Sequence, residues 1–180
     1  MNAIDMIKGR RSVRKYKNEK VSRELMTEIV ELSSWAPSWG NLQVARYTLV
    51  DNSEIIEQFV QDGMRGFAYN INTLKTAPGV AVLSFVKGKS GKVEAYGYKT
   101  EANAWETFDA GIACQTFCLA AHEKGVGTCI FGIFDNEAAA KLINLPEDET
   151  IAALIVYGYE DGETGPVARK DVAEIMRFID

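Results

Sequence analysis

Ala110-Gly111-Ile112-Ala113-Cys114-Gln115-Thr116-Phe117-Cys118-Leu119-Ala120-Ala121 is the stretch on which the fold turns. It forms the second half of a helical pattern from Glu101 to Lys124, about seven turns if unbroken. Ala110, Gly111, Ala113, Cys114, Phe117, Cys118, Ala120 and Ala121 make this half apolar nearly all round. Such a helix is buried on most sides, in a core or across a subunit interface. Gly125 ends it. Cys114 and Cys118, four residues apart, read as small packed thiols. His122, beside Glu123 and Lys124, reads as a surface group favourable to the helix dipole.

On the N-terminal side, Asn2 caps a short helix ending at Gly9. Ser22 caps a second, with Leu25, Ile29 and Leu32 spaced for one buried face. Pro37 and Gly40 break Trp35 to Asn41 into a loop. Arg46 to Asp51 reads as a strand, and Ser53 as the cap of a short helix through Phe59 and Val60. Pro78 to Val86 is a continuous apolar run of strand length. On the C-terminal side, Thr128 to Phe131 reads as a strand, Asp135 or Asn136 caps a helix, and Ile151 to Tyr159 is a final central strand. The tail from Gly165 to Lys170 is loop-like and leads into a short helix. Helices and strands intermix without a regular βαβ beat, which predicts an α+β fold. A length of 180 residues fits one domain over 1–180.

Charge is unevenly spread. Residues 1–23 carry eight Lys and Arg against two acidic side chains, a local +6, while the remainder carries twelve against twenty-three, or −11. A basic island on an acidic chain points to one local anionic partner, unless it is a solvated charged face. Within Gly9-Arg10-Arg11-Ser12-Val13-Arg14-Lys15-Tyr16, an extended backbone turns Arg10, Ser12 and Arg14 the same way. Two guanidinium forks flanking a hydroxyl suit a phosphate. A pI near 5.1 disfavours nucleic acid. No apolar run approaches a membrane span and no signal-peptide pattern is present. Three cysteines without a framework (Cys114, Cys118, Cys129) fit a reducing cytoplasm.

The glycines Gly125, Gly127 and Gly132 follow a helix and precede a strand, the reverse of a dinucleotide fingerprint. Paired carboxylates, metal-spaced cysteines and a nucleophile elbow are absent from the sequence. What remains is an anion site, a glycine-containing strand end, aromatics, and the amides Asn41, Gln43 and Asn70. That inventory suits a protein that holds an organic cofactor and lets it do the chemistry. A flavin mononucleotide asks for a cationic phosphate site, amides for its pyrimidine edge, a positive charge near N1 and O2, and a backbone N–H near N5.

Over essentially its whole length the chain resembles the FMN-dependent nitroreductase family. The features that carry the resemblance are Arg10-Arg11-Ser12-Val13-Arg14-Lys15-Tyr16, Ala36-Pro37-Ser38-Trp39-Gly40-Asn41-Leu42-Gln43, Thr76-Ala77-Pro78, the helix through Ala120-Ala121 to Gly125-Val126-Gly127-Thr128, and Arg169. The resemblance implies a central mixed, mostly antiparallel sheet flanked by helices, with the long helix at a homodimer interface and FMN at that interface. It implies that Arg10, Ser12 and Arg169 hold the phosphate, with Arg11 nearby. Arg14 would sit against the N1–O2 edge and Asn70 on the pyrimidine side, and Ile130-Phe131-Gly132 would present a backbone N–H to N5. Pro37, Ser38, Trp39 and Asn41 would reach across from the partner chain.

Val44-Ala45, Thr73 and Phe131 depart from the patterns of many relatives, which bears on the substrate more than on the cofactor. The implied activity is oxidoreduction by a ping-pong mechanism: NADH or NADPH reduces FMN, which then reduces a nitroaromatic, quinone or similar acceptor. The alternatives are other flavin chemistry on the same fold (dehalogenation, flavin reduction or flavin destruction) or a flavin-binding, redox-sensing protein without turnover. Tyr96, Tyr98 and Trp105 read either as an aromatic wall over the flavin or as ordinary core and surface.

Overall fold

The structure is a computed structural model that describes residues 2–91 and 105–179. The apolar run near residue 80 forms β2 (Gly79–Val86), buried along its whole length. β2 lies antiparallel between β1 (Ala45–Val50) and β4 (Glu149–Gly158), and β4 pairs antiparallel with β3 (Gly127–Phe131), giving the order β1-β2-β4-β3. The central strands lack polar alternation because both faces of the sheet are covered. Val80, Val82, Leu154 and Val156 face one apolar cluster, and Ala81, Leu83, Ile155 and Tyr157 face the other. Gly79 is required by that second packing, since a Cβ there would lie 2.2 Å from the Tyr157 ring.

One face is packed by α2 (Arg23–Ser33) and α5 (Trp105–Glu123). The other is packed by α3 (Ser53–Gln58) with the π-helical turn Phe59–Gly63 that follows it, α4 (Ala68–Leu74) and α6 (Asn136–Leu142). The short α1 (Ala3–Gly9) leans on the end of α5, and α7 (Val172–Ile175) sits in the tail. Asn2, Ser22 and Asp135 cap their helices as expected. At α3 the cap is Asn52 rather than Ser53, because the Asn52 side chain reaches the N–H groups of both Glu54 and Ile55.

Three expectations take a more definite form. The buried face of α2 is Met26, Ile29 and Ser33, with Leu32 left exposed. Among the described residues the four strands are antiparallel, and the parallel element of the expected mixed sheet is the bridge between Ser12 and Thr128. α5 is buried along one side only: Asp109, Ala110, Ala113, Cys114, Phe117, Cys118 and Ala121 pack inward, while Phe108, Gly111 and Gln115 stay exposed. Among the described residues nothing lies within 4 Å of a Cβ placed at Gly111, so this side of the helix is left for packing beyond them. The expected start of this helix, residues 101–104, lies outside the described residues.

Candidate functional site

The basic segment is laid down by backbone pairing. Gly9 ends α1 against His122, where a Cβ would fall 2.9 Å from the ring Nε2. The chain then leaves extended and pairs with β3: Ser12 bridges Thr128, and the Val13 N–H donates to the Thr128 carbonyl at 2.9 Å. Val13 is buried, and the Tyr16 hydroxyl donates to the carbonyls of Val13 (2.7 Å) and Val156 (3.3 Å). Burial holds the Tyr16 phenol far above its ordinary pKa, so it remains a donor. Arg10, Ser12 and Arg14 are thus fixed at the N-terminal end of β3.

Their side chains divide. Arg10 and Arg11 line a cleft of about 330 Å³ with His122, Gly125, Gly127, Thr128 and Glu160. Arg11 is turned back onto α1, donating to the carbonyls of Lys8 (2.6 Å) and Arg10 (3.1 Å), so it closes that helix. His122 is half-buried here rather than a free surface group. Burial first, and then the charges of Arg10 and Arg11, hold its pKa below the usual value, overriding the favourable dipole expected for it.

Arg14 points the other way. Its Nη1 donates to the Ser12 carbonyl at 2.9 Å, and its guanidinium lies 5.2 Å from the centroid of the Tyr69 ring. Next to Tyr69 on α4 is buried Asn70, whose Nδ2 donates to the Ile133 carbonyl at 2.9 Å. That bond ties α4 to the chain leaving β3. Along this strand end Phe131 points into the core, Ile130 is 46% exposed, and Gly132 is exposed with no atom of the described residues near its Cβ position. Arg14, Asn70 and residues 130–133 therefore converge, and the strand-end backbone is open. Tyr69 was not anticipated; its signal was an aromatic beside Asn70, on a helix too short to bury it.

The loop after α2 forms a separate unit. Pro37 is exposed, Ser38 and Trp39 are half-buried, and Asn41 is exposed at the end of a 3-10 turn, Trp39–Asn41. Gly40, Asn41 and Gln43 all have positive φ. The Ser38 Oγ accepts from the Gln43 N–H at 2.8 Å, and the Trp39 N–H donates to the Asp109 carboxylate at 3.0 Å. Asp109 also went unanticipated. Its signal was register: it stands four, eight and twelve residues before the buried Ala113, Phe117 and Ala121. A cleft of about 280 Å³ lies behind the loop, lined by Ser33, Pro37, Ser38, Tyr47 and Asp109 among others.

Arg169 lies in a tail exposed from residue 165 to 179, where its guanidinium donates to the carbonyls of Val167 and Ala168. Trp105 is half-buried, edge-on to Phe108, with its Nε1 buried and without a hydrogen-bond partner among the described residues. Tyr96 and Tyr98 fall outside the described residues. The three cysteines are free and buried. Among the described residues no group of His, Cys, Asp and Glu could hold a metal ion, and no helix is long and apolar enough to cross a membrane.

A sheet covered on both faces, with an Arg-Ser-x-Arg segment pinned to β3 and an amide beside the strand end, defines a nitroreductase fold. The chain belongs to the nitroreductase family, whose family model matches residues 7–159. It is similar to YodC of Bacillus subtilis, which carries an NAD(P)H nitroreductase name: 28% identity over 184 residues, covering 87% of this chain and 89% of YodC. It is also 24% identical to the iodotyrosine deiodinase of Thermotoga neapolitana, over 97% of this chain and 96% of that protein. A structure from Exiguobacterium sibiricum solved in complex with FMN superimposes with a TM-score of 0.84 at 20% identity, covering 99% of this chain and 98% of that one.

Proposed function

We propose that this chain, as one domain, is an FMN-dependent NAD(P)H oxidoreductase that works as a cytoplasmic homodimer. The observation that carries the reading is the convergence of Arg14, Tyr69-Asn70 and the 130–133 strand end. The residues present fit FMN. Gly132 is exposed with its Cβ position clear of the described residues, a guanidinium lies over Tyr69, and the neighbouring Asn70 is fixed by its bond to Ile133. FMN, when bound, supplies the capacity to take a hydride from NADH or NADPH and pass the electrons to a nitroaromatic, quinone or similar acceptor in a ping-pong cycle.

In this reading Arg10, Ser12 and Arg169 hold the phosphate. Arg14 supplies positive charge at the N1–O2 edge, and Asn70 orients the pyrimidine side. The backbone of Ile130-Phe131-Gly132 donates at N5. Pro37, Ser38, Trp39 and Asn41 come from the partner subunit. Two features support a second copy. The chain exposes 11340 Å², whereas about 8,700 Å² is expected for a self-sufficient monomer of this mass. The excess sits in part on α5 and on the exposed tail, which carries Val172, Ile175, Met176, Phe178 and Ile179. A four-residue helix such as α7 does not stand alone in water. Three buried, free thiols suit a reducing compartment.

Purified protein should be yellow, release FMN and not FAD on heating, and bleach anaerobically with NADH or NADPH. The relatives carry more than one activity name, so reoxidation is followed with a nitroaromatic, a quinone and a halogenated phenol. Recovery of FAD, or no flavin after reconstitution, would overturn the reading. A flavin-loaded monomer in sedimentation analysis would overturn the dimeric site.

A further inference from the structure

We propose that Asp109 is a positioning residue for the flavin site, the tether that sets the loop 36–43 on α5. The proposal rests on the reading of that loop as a flavin contact. Asp109 is the only charged side chain buried among the described residues, 2% exposed. One carboxylate oxygen accepts from the Trp39 N–H at 3.0 Å and the other from the Ser90 hydroxyl at 2.6 Å, and Ser90 is itself buried.

The loop needs such a tether. Gly40, Asn41 and Gln43 hold φ of 56°, 55° and 49°, left-handed conformations that cost free energy in the two residues with a Cβ. The other bonds of the turn are largely local: Asn41 N–H to the Ser38 carbonyl, Leu42 N–H to the Trp39 carbonyl, Gln43 N–H to the Ser38 Oγ, and Arg46 Nη1 to the Gln43 carbonyl. They shape the turn without fixing it to the body. The Trp39–Asp109 bond does fix it, in a buried setting where losing an acceptor leaves a donor unsatisfied.

The same stretch of α5 also fastens the turn after β2. Glu106 accepts from the Gly88 N–H at 2.6 Å, and the Gly91 backbone packs so closely on Trp105 that a Cβ would lie 2.8 Å from its ring. Asp109 is the junction of these two fastenings, since it reaches both Ser90 and Trp39. It thus sets the loop that carries Pro37, Ser38, Trp39 and Asn41 in register with the turn that follows β2. Asp109 touches no reacting atom in this scheme and acts through Trp39.

The test uses the full-length dimer and three variants. Asp109→Ala removes both acceptors. Asp109→Asn keeps an oxygen for the Trp39 N–H and an amide that can donate to Ser90. Ile56→Ala, on the opposite face of the sheet, is a destabilising control. FMN dissociation constants are read from flavin fluorescence, and amide exchange of the peptide 36–43 is followed in apoprotein by mass spectrometry. Asp109→Ala should weaken FMN binding at least roughly tenfold and speed exchange of that peptide by a similar factor. Asp109→Asn should restore both to within about threefold of wild type. Ile56→Ala should lower the melting temperature without moving either. Where alanine does not give folded protein, Asp109→Ser, too short to reach Trp39, takes its place. If the peptide exchanges faster but FMN affinity is unchanged, or if Asn fails to rescue, the tether is not a positioning device. If wild type binds no FMN, the functional reading fails instead, and the exchange data still decide whether Asp109 holds the loop.

Discussion

Replacing Gly127 with alanine would drive a methyl group into Val13, the residue that pins the basic segment to β3. The added Cβ would lie 2.8 Å from one Val13 methyl, 3.2 Å from the other and 3.1 Å from its Cβ. Val13 is 4% exposed and its N–H is committed to Thr128, so neither side can retreat without opening the bridge. Overpacking of this kind costs about 1–3 kcal/mol. Removing a strand glycine returns roughly 0.5–1 kcal/mol of that. The net loss is then about 1–2 kcal/mol, a melting-temperature drop of roughly 2–4 °C per kcal/mol for a chain of this size. Val13→Ala alone, deleting two buried methyl groups, should cost about 2 kcal/mol.

The double variant is the decisive one. Alanine at 13 removes the two clashing methyl groups and leaves only the 3.1 Å approach to its own Cβ, so most of the cost of Gly127→Ala should disappear in that background. The cycle should show a favourable coupling of about 1–2 kcal/mol. Denaturant titration of the reconstituted protein measures the stabilities, and flavin fluorescence measures FMN affinity. Affinity should fall in Gly127→Ala, because the 10–14 segment is displaced, and recover in part in the double variant. Additivity within about 0.5 kcal/mol, or a Gly127→Ala protein unchanged in both readings, would refute the claim that Val13 packing sets the phosphate-binding segment.

Arg14→Ala should lower the flavin midpoint potential, since reduction adds negative charge beside it. The side chain is exposed, so the shift should be on the order of 20 mV for a two-electron couple. Arg10→Ala should chiefly weaken FMN binding; spectroelectrochemistry at saturating FMN separates the two, and an unshifted potential in Arg14→Ala sinks its assignment. His122 has a folded-state pKa below its ordinary value, so the unfolded chain takes up its proton first as pH falls. Stability held above the usual histidine pKa is therefore lost as pH drops through 6.5 toward the lower folded value. His122→Gln should flatten that slope in melting curves from about pH 7.5 to about pH 5.5, and an equal slope in both proteins would contradict it. Deleting residues 172–179 should raise the dimer dissociation constant at least about tenfold; unchanged sedimentation at nanomolar protein would show that the tail packs elsewhere.

Local chemistry was readable wherever a residue's role depends on its chain neighbours. Asn2, Ser22 and Asp135 cap helices through bonds spanning three residues, and Gly125 follows α5 with a positive φ, so their roles are written in short sequence. The run Pro78 to Val86 announced a strand, and its lack of polar alternation has its reason in a sheet buried on both faces. The Arg-Ser-x-Arg and Pro-Ser-Trp motifs marked the segments from which a candidate site is built. The sequence could not say which direction each guanidinium takes. Arg10 lines a cleft with His122, Arg11 closes α1 and Arg14 lies over Tyr69, because these neighbours come from α5, α1 and α4, and the pairing of Ser12 with Thr128 lays the segment between them. Register put Asp109 on the buried side of its helix, but not what it meets there, since Trp39, seventy positions earlier, and Ser90 reach it only in the folded chain. Periodicity records which side of an element is buried, whereas what it is buried against is a property of the assembled sheet and helices, and that decided the site.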